Sequence, residues 1–159
     1  MKSISFTGHR KLLGDISELK KTLYQRLEEE IKNEATDFNA GGAVGFDCMV
    51  AAIVIKLRDV YPHIKLHLIL PCSNEEQTGN WSEDERAEFY RILKLADTTE
   101  YTSKHYYDGC MKRRNARLVE LADCCFCYWD GRQRSGTGQT VRMAIKKNIE
   151  VVNFYIISV

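Results

Sequence analysis

Several things are scarce in this chain. No run of about 18 apolar residues occurs, which excludes a membrane-spanning helix. Neither sign of charge is in surplus: 23 Lys and Arg stand against 22 Asp and Glu, a formal net charge of +1. No global field draws the chain to nucleic acid or to a membrane, and neither is expected as a partner. Proline is nearly missing, with only Pro62 and Pro71 among 159 residues. There is no linker, repeat or low-complexity segment, so residues 1–159 read as one domain with no attached effector segment. The opening Met1-Lys2-Ser3-Ile4-Ser5-Phe6 is too short and polar for a signal peptide. A cytoplasmic protein is expected.

Cysteine is present, but not in pairs that carry chemistry. The six cysteines, Cys48, Cys72, Cys110, Cys124, Cys125 and Cys127, contain no C-x-x-C. They read as small apolar core residues in a reducing compartment rather than as a metal site or disulfide framework. No metal and no cofactor is expected. The standard nucleotide fingerprints are missing too: there is no G-x-G-x-x-G, and no Gly-Lys followed by Ser or Thr.

What is present is alternation. Strand-like runs at 3–7, 36–40, 65–70, 98–102, 123–128 and 150–156 alternate with helix-like patterns at 16–33, 45–58, 82–95, 108–121 and 137–147. Leu19, Leu23, Leu27 and Ile31 form one apolar stripe; Val50, Ile53, Val54 and Leu57 form another. This order predicts an α/β fold, a Rossmann-like three-layer sandwich with a mainly parallel sheet.

Glycine marks one edge of that sheet. Gly8 follows the first strand, Gly41, Gly42 and Gly45 the second, and Gly131, Gly136 and Gly138 the fifth. Loops entering the strands are short and bland. In open parallel sheets the loops leaving the strands form the ligand crevice. Glycine there allows close backbone approach and exposes N–H groups at helix starts, which suits phosphate.

Three constellations lie on that edge. In Thr7-Gly8-His9-Arg10, Arg10 is a candidate anion clamp and His9 a candidate cleft residue; a solvated turn explains the string equally well. Gly41-Gly42-Ala43-Val44-Gly45-Phe46-Asp47 opens a helix. Its glycines favour phosphate binding, while Asp47 fits either a ribose-hydroxyl acceptor or a partner of the helix dipole. Asp130-Gly131 leads to Ser135-Gly136-Thr137, which supplies donors at another helix start. Arg132 and Arg134 fit solvated loop charges best. Of Lys112-Arg113-Arg114-Asn115, steps of about 100° allow at most one or two basic residues to face the crevice.

Taken in order, Thr7-Gly8-His9-Arg10, Gly41-Gly42-Ala43-x-Gly45-x-Asp47, Leu70-Pro71, Gln77-x-x-x-Trp81, Arg114-Asn115, Ala122-Asp123, Trp129-Asp130-Gly131 and Ser135-Gly136-Thr137-x-x-Thr140-Val141 resemble the SLOG superfamily, specifically its small bacterial YpsA-like branch. The resemblance implies a modified Rossmann fold that binds a nucleotide-derived small molecule. On it, Pro71, Arg114 and Asn115 join the candidate ligand-binding residues. Its relatives include the DNA-processing protein DprA, LOG-type phosphoribohydrolases, and antiphage sensor domains that bind cyclic ADP-ribose-type signals. LOG-type enzymes carry a catalytic glutamate where this chain has Thr140, and a threonine supplies no carboxylate base. No residue is therefore assigned a catalytic role, and a sensor or sequestering module is the expectation. The alternatives are N-glycosidic hydrolysis through His9, Asp47 or Asp130, and single-stranded nucleic-acid binding through Arg113, Arg117 and Arg132. A homo-oligomer, in the first instance a dimer, is expected, with Tyr106, Tyr107, Trp81 and Phe89 as candidate aromatic anchors, although core packing suits Phe89 better.

Overall fold

A computed structural model describes residues 2–155. Six parallel strands form one sheet: β1 (Lys2–Gly8), β2 (Ala35–Ala40), β3 (Lys65–Leu70), β4 (Thr98–Tyr101), β5 (Cys124–Tyr128) and β6 (Glu150–Asn153). Their spatial order is β4-β3-β2-β1-β5-β6. The chain builds outward from β1 to β4, then returns to the other side of β1 to lay down β5 and β6. The strand order therefore reverses between β1 and β5. Residue 156, placed in the last strand by its apolar run, lies outside the described residues.

The helices are α1 (Ile16–Lys32), α2 (Phe46–Val60), α3 (Asn74–Thr78), α4 (Glu83–Leu95), α5 (Cys110–Leu121) and α6 (Gly136–Lys146). Their starts are set by local chemistry. Asp15 accepts from the Glu18 N–H at the head of α1, and Ser82 with Glu85 forms a reciprocal capping box at α4. The short α3, capped by Ser73, has no counterpart in the apolar periodicity. No helix among the described residues is long and apolar enough to cross a membrane.

Period-two alternation splits the sheet into two unlike faces. Ile4 and Phe6 of β1, Phe38 of β2, Leu66 and Leu68 of β3 and Phe126 of β5 enter one large core with the buried stripes of α1, α2 and α4. Phe6 lies between Phe38 and Phe126 at ring separations of 6.2 and 6.1 Å. The opposite face carries α5 over β1 to β3 and α6 over β1, β5 and β6, with a small core of Val119, Cys125 and Ala144. Trp81 and Phe89 are buried and meet edge to face at 5.5 Å. That corrects the candidacy of Trp81 as a surface anchor and puts Phe89 in the core, the role expected of it; Tyr106 and Tyr107 are exposed. All six cysteines are free thiols. Burial pushes the Cys48, Cys124, Cys125 and Cys127 thiols up, away from the reactive thiolate.

Candidate functional site

The strand order reverses between β1 and β5, and a cleft of about 390 Å³ opens at their carboxyl ends. Small-molecule sites typically span about 300–1,000 Å³. Thr7 to Lys11 form one wall, Ala43 and Asp47 another, Met111, Arg114 and Asn115 a third, and Arg132, Gly136 and Thr137 the last.

The loops around this cleft are tied to one another. The β1–β5 ladder runs past Gly8, since the His9 N–H donates to the Tyr128 carbonyl at 3.2 Å. The His9 carbonyl in turn accepts from the Phe46 N–H at the head of α2. A Cβ at Gly8 would strike the Phe46 ring, and one at Gly45 (φ +90°) would strike the Arg10 carbonyl. These glycines let one loop lie against the next. The ligand-approach role assigned to them from sequence is not what their geometry requires. Gly42 (φ +73°) is similar: its Cβ would come within 2.6 Å of the Leu70 Cδ2. A bulky residue there damages the fold, so it is no clean probe of ligand approach. Gly136 differs, because a Cβ there would meet only the Asn115 amide, at 3.8 Å.

His9 is buried, with its Nε2 3.0 Å from the Asp130 N–H and 3.0 Å from Asp130 Oδ1. Asp130 also accepts from the Arg132 N–H and Nε. The Arg132 backbone N–H first, then His9 and the Arg132 charge, hold the Asp130 carboxyl below its usual range. Gly131 (φ +94°) is exposed and has nothing near its missing side chain. Asp130 and Gly131 thus shape the loop behind the cleft and do not line it.

At α6 the Ser135 hydroxyl accepts from the Gly138 N–H at 2.9 Å. Gly136 and Thr137, both on the cleft wall, open the helix where N–H groups have no intrahelical acceptor. The helix dipole adds positive potential there. Arg10 and Lys11 are exposed on the opposite lip and have no carboxylate within ion-pair distance among the described residues.

Of the basic residues at 112–114, the fold turns Arg114 inward. It is 7% exposed and donates from Nη1 to the Gly41 carbonyl at 2.6 Å and from Nε to Asn115 Oδ1 at 3.0 Å. Asn115 donates to the Gly136 carbonyl at 3.4 Å. Arg114 and Asn115 therefore join the Gly41 and Gly136 turns. Gly41 lies beneath Arg114, and Pro71 is buried outside the cleft lining. Asp47 is buried beside Arg114, and burial pushes its carboxyl up to about 6 against the opposing pull of Arg114, the Ala43 N–H and Arg10.

A model of the YspA SLOG family, YpsA, matches residues 7–159. The chain belongs to this SLOG family. Its relatives include a UPF0398 protein of Halalkalibacterium halodurans, 28% identical over 157 residues that cover 92% of this chain and 82% of the relative. A UPF0398 protein of Bacillus cereus strain G9842 is 26% identical over 165 residues, covering 98% and 88%. Among solved structures, DNA processing protein A from Helicobacter pylori, described for its single-stranded DNA binding mode, superposes with a TM-score of 0.65 at 18% identity. That match covers 96% of this chain but 64% of the other. TM1055 superposes with a TM-score of 0.60 at 18% identity, covering 95% and 72%. At such identities the structures share the fold.

Within this SLOG fold, Thr140 is buried and its hydroxyl donates back to the Gly136 carbonyl at 3.0 Å. It serves the first turn of α6. Lys11 and Met111 line the cleft without having been marked by sequence. Lys11 extends the Gly8-His9-Arg10 string by one residue, and Met111 lies three residues before Arg114, one helical turn away. Arg132, read as a solvated loop charge, is on the cleft wall while its Nε is held by Asp130.

Proposed function

We propose that the chain binds a nucleotide-derived small molecule in the β1/β5 cleft, as a sensor or a sequestering module. One observation carries the reading. A helix N-terminus, two exposed cations with no ion-pair partner among the described residues, and the reversal of strand order coincide in one cleft. Phosphate would rest on the Gly136 and Thr137 N–H groups, with Arg10, Lys11 and Arg132 as counter-charges. Arg114 and Asn115 would hold the two turns in register.

The test is a thermal-shift screen with mononucleotides, dinucleotides and cyclic ADP-ribose isomers. A ligand at 100 times its Kd adds about 2.7 kcal/mol to the native state. The expected result is stabilisation by a phosphate-bearing compound that Arg10→Ala weakens. No shift with any of them overturns the reading.

An alternative reading, single-stranded nucleic-acid binding, is favoured by the likeness to DNA processing protein A. Near-zero net charge is no sufficient argument against it, since local charge decides backbone contacts. Arg113 and Lys104 border an open pocket beside Tyr101, and Tyr106 and Tyr107 are exposed nearby in sequence. Oligonucleotide affinity that falls steeply with salt would support this alternative. Of its other candidate residues, Arg117 is committed to Glu100 and Glu120.

A further inference from the structure

Asp47 is poorly explained by the fold alone. It is 4% exposed and on the cleft wall. One oxygen, Oδ2, accepts from the Ala43 N–H at 3.3 Å. The other, Oδ1, is buried and has no hydrogen-bond partner among the described residues. Arg114, the cation beside it, directs its N–H groups to Gly41 and Asn115 instead. A dipole role at the head of α2 accounts for a negative charge there, but not for an oxygen left without a donor. Buried acceptors are nearly always satisfied, and an exception marks a place where something else supplies the donor.

Charge narrows the donor. Arg10, Lys11, Arg114 and Arg132 line the same cleft, so an ammonium donor is repelled and a neutral one is favoured. An anion seated at α6 and a neutral donor reaching Asp47 together describe a phosphorylated sugar. We infer that Asp47 reads a sugar hydroxyl through its unpartnered oxygen, so that the site takes a phosphorylated sugar in preference to phosphate alone. The inference rests on the proposed reading of the cleft as a phosphate-binding site.

Asp47 is on the cleft wall, and the broad last torsion of an aspartate lets its carboxylate adjust to a bound hydroxyl. A hydroxyl that donates to it stabilises the ionised form, so binding expels a proton near pH 6 and affinity drops below that pH. The groups that face Asp47 are Arg114 from α5, Arg10 and His9 from the β1 loop, the Cys48 thiol on its own helix and the Cys125 thiol on β5.

The experiment is calorimetric titration of wild type, Asp47→Ala and Asp47→Asn with inorganic phosphate and with ribose 5-phosphate, at pH 6 and pH 8. Wild type is expected to bind ribose 5-phosphate roughly tenfold tighter than phosphate, the scale of one hydrogen bond to a charged group. Asp47→Ala closes that gap, and both probes gain alike from the loss of a negative charge beside Arg114 and Arg10. Asp47→Asn keeps an oxygen but loses the charge, so it narrows the gap and removes the part of the proton release at pH 6 that comes from Asp47. The part that comes from the phosphate probe remains, since its own second pKa is about 6. Should the alanine variant fail to fold, the asparagine variant decides. Equal affinities for the two probes in wild type, or a gap that a folded variant preserves, overturn the role of Asp47. If neither probe binds wild type, the phosphate-site reading fails and this inference with it.

Discussion

Two polar regions of this molecule make an instructive pair. One is the cleft at the carboxyl ends of β1 and β5. The other is a cavity of about 340 Å³ on the α5 side of the sheet, walled by Asp37, Asn39, His67, Thr98, Glu100 and Arg117. Polar groups line both regions. His67 Nε2 lies 2.7 Å from Asp37 Oδ1 and its Nδ1 lies 2.6 Å from the Thr98 hydroxyl. Arg117 holds Glu100 through two nitrogens. Yet every one of these charges has its partner, and the cavity is lined by the last turns of α5, the negative end of that helix. Inner strands of a parallel sheet are normally apolar on both faces. Here α5 and α6 leave β2 to β4 partly open, and a satisfied polar network covers the gap. The cleft also carries a polar network but leaves Arg10, Lys11, an Asp47 oxygen and the head of α6 uncommitted. A ligand can engage only groups the protein has not already used, so unsatisfied polarity, and not its density, separates the two regions.

The largest effect concerns the frame of the cleft. Gly45→Ala places a Cβ against the Arg10 carbonyl at φ +90° and should cost more than about 3 kcal/mol in a denaturant titration. Gly131→Ala, at φ +94° but in open space, should cost only about 1 kcal/mol. Equal costs would mean that backbone conformation, not packing of loop on loop, fixes the cleft.

Next comes Asp47. Its folded pKa, about 6, lies above the unfolded value, so between about pH 4 and 6 the native state binds more protons than the unfolded chain. The native state is therefore favoured at low pH and loses stability as pH rises through that window. Asp47→Asn removes this titration. The stability of the variant relative to wild type should rise by up to about 3 kcal/mol from pH 4 to pH 8. Parallel pH profiles would mean that a donor already satisfies Asp47 in solution.

Much of this architecture is legible in sequence for physical reasons. Long helices with apolar stripes and strands with alternating cores declare themselves by period, and the glycine turns mark the carboxyl edge. The five-residue α3 is too short to show a period; Ser73 followed by Glu76 was its only signal, a capping pattern. Glycine reports that a side chain is excluded, but not by what. Phe46, Leu70 and the Arg10 carbonyl exclude it at Gly8, Gly42 and Gly45, and only tertiary structure brings them there. Arg114 shares its charge with its neighbours Lys112 and Arg113, so its inward turn is invisible until α5 is docked. The His67–Asp37 pair depends on β2–β3 register, which sets Asn39 beside His67 and Asp37 beside Lys65.

A smaller effect sharpens the contrast in binding. Arg10→Ala should weaken ribose 5-phosphate by about ten- to a hundredfold, or about 1.5–3 kcal/mol, as for one lost charge-assisted contact. Arg117→Ala should leave that affinity unchanged, since its guanidinium is committed to Glu100 and Glu120. Calorimetry on both variants checks the pair, and similar losses from each would erase the distinction between the regions.

The smallest effect belongs to the satisfied face. Burial opposes ionisation of Asp37, but the hydrogen bonds from His67 and Thr36 outweigh it and hold the carboxyl below its usual range. A depressed folded pKa contributes stability above the ordinary carboxylate value, which is lost as pH falls through the folded one. Asp37 and His67 are 33% and 22% exposed, so solvent screens the pair and its contribution is about 0.5–1 kcal/mol. Asp37→Asn should cost that much near neutral pH and nothing once wild-type Asp37 is protonated, with ribose 5-phosphate affinity unchanged throughout. Chemical denaturation at pH 7 and pH 3 measures the stability change, and calorimetry the affinity. A loss of ligand affinity in this variant would show that the open sheet face communicates with the cleft. The polar network over β2 to β4 would then belong to the site and would not be a cover for an uncovered strand surface.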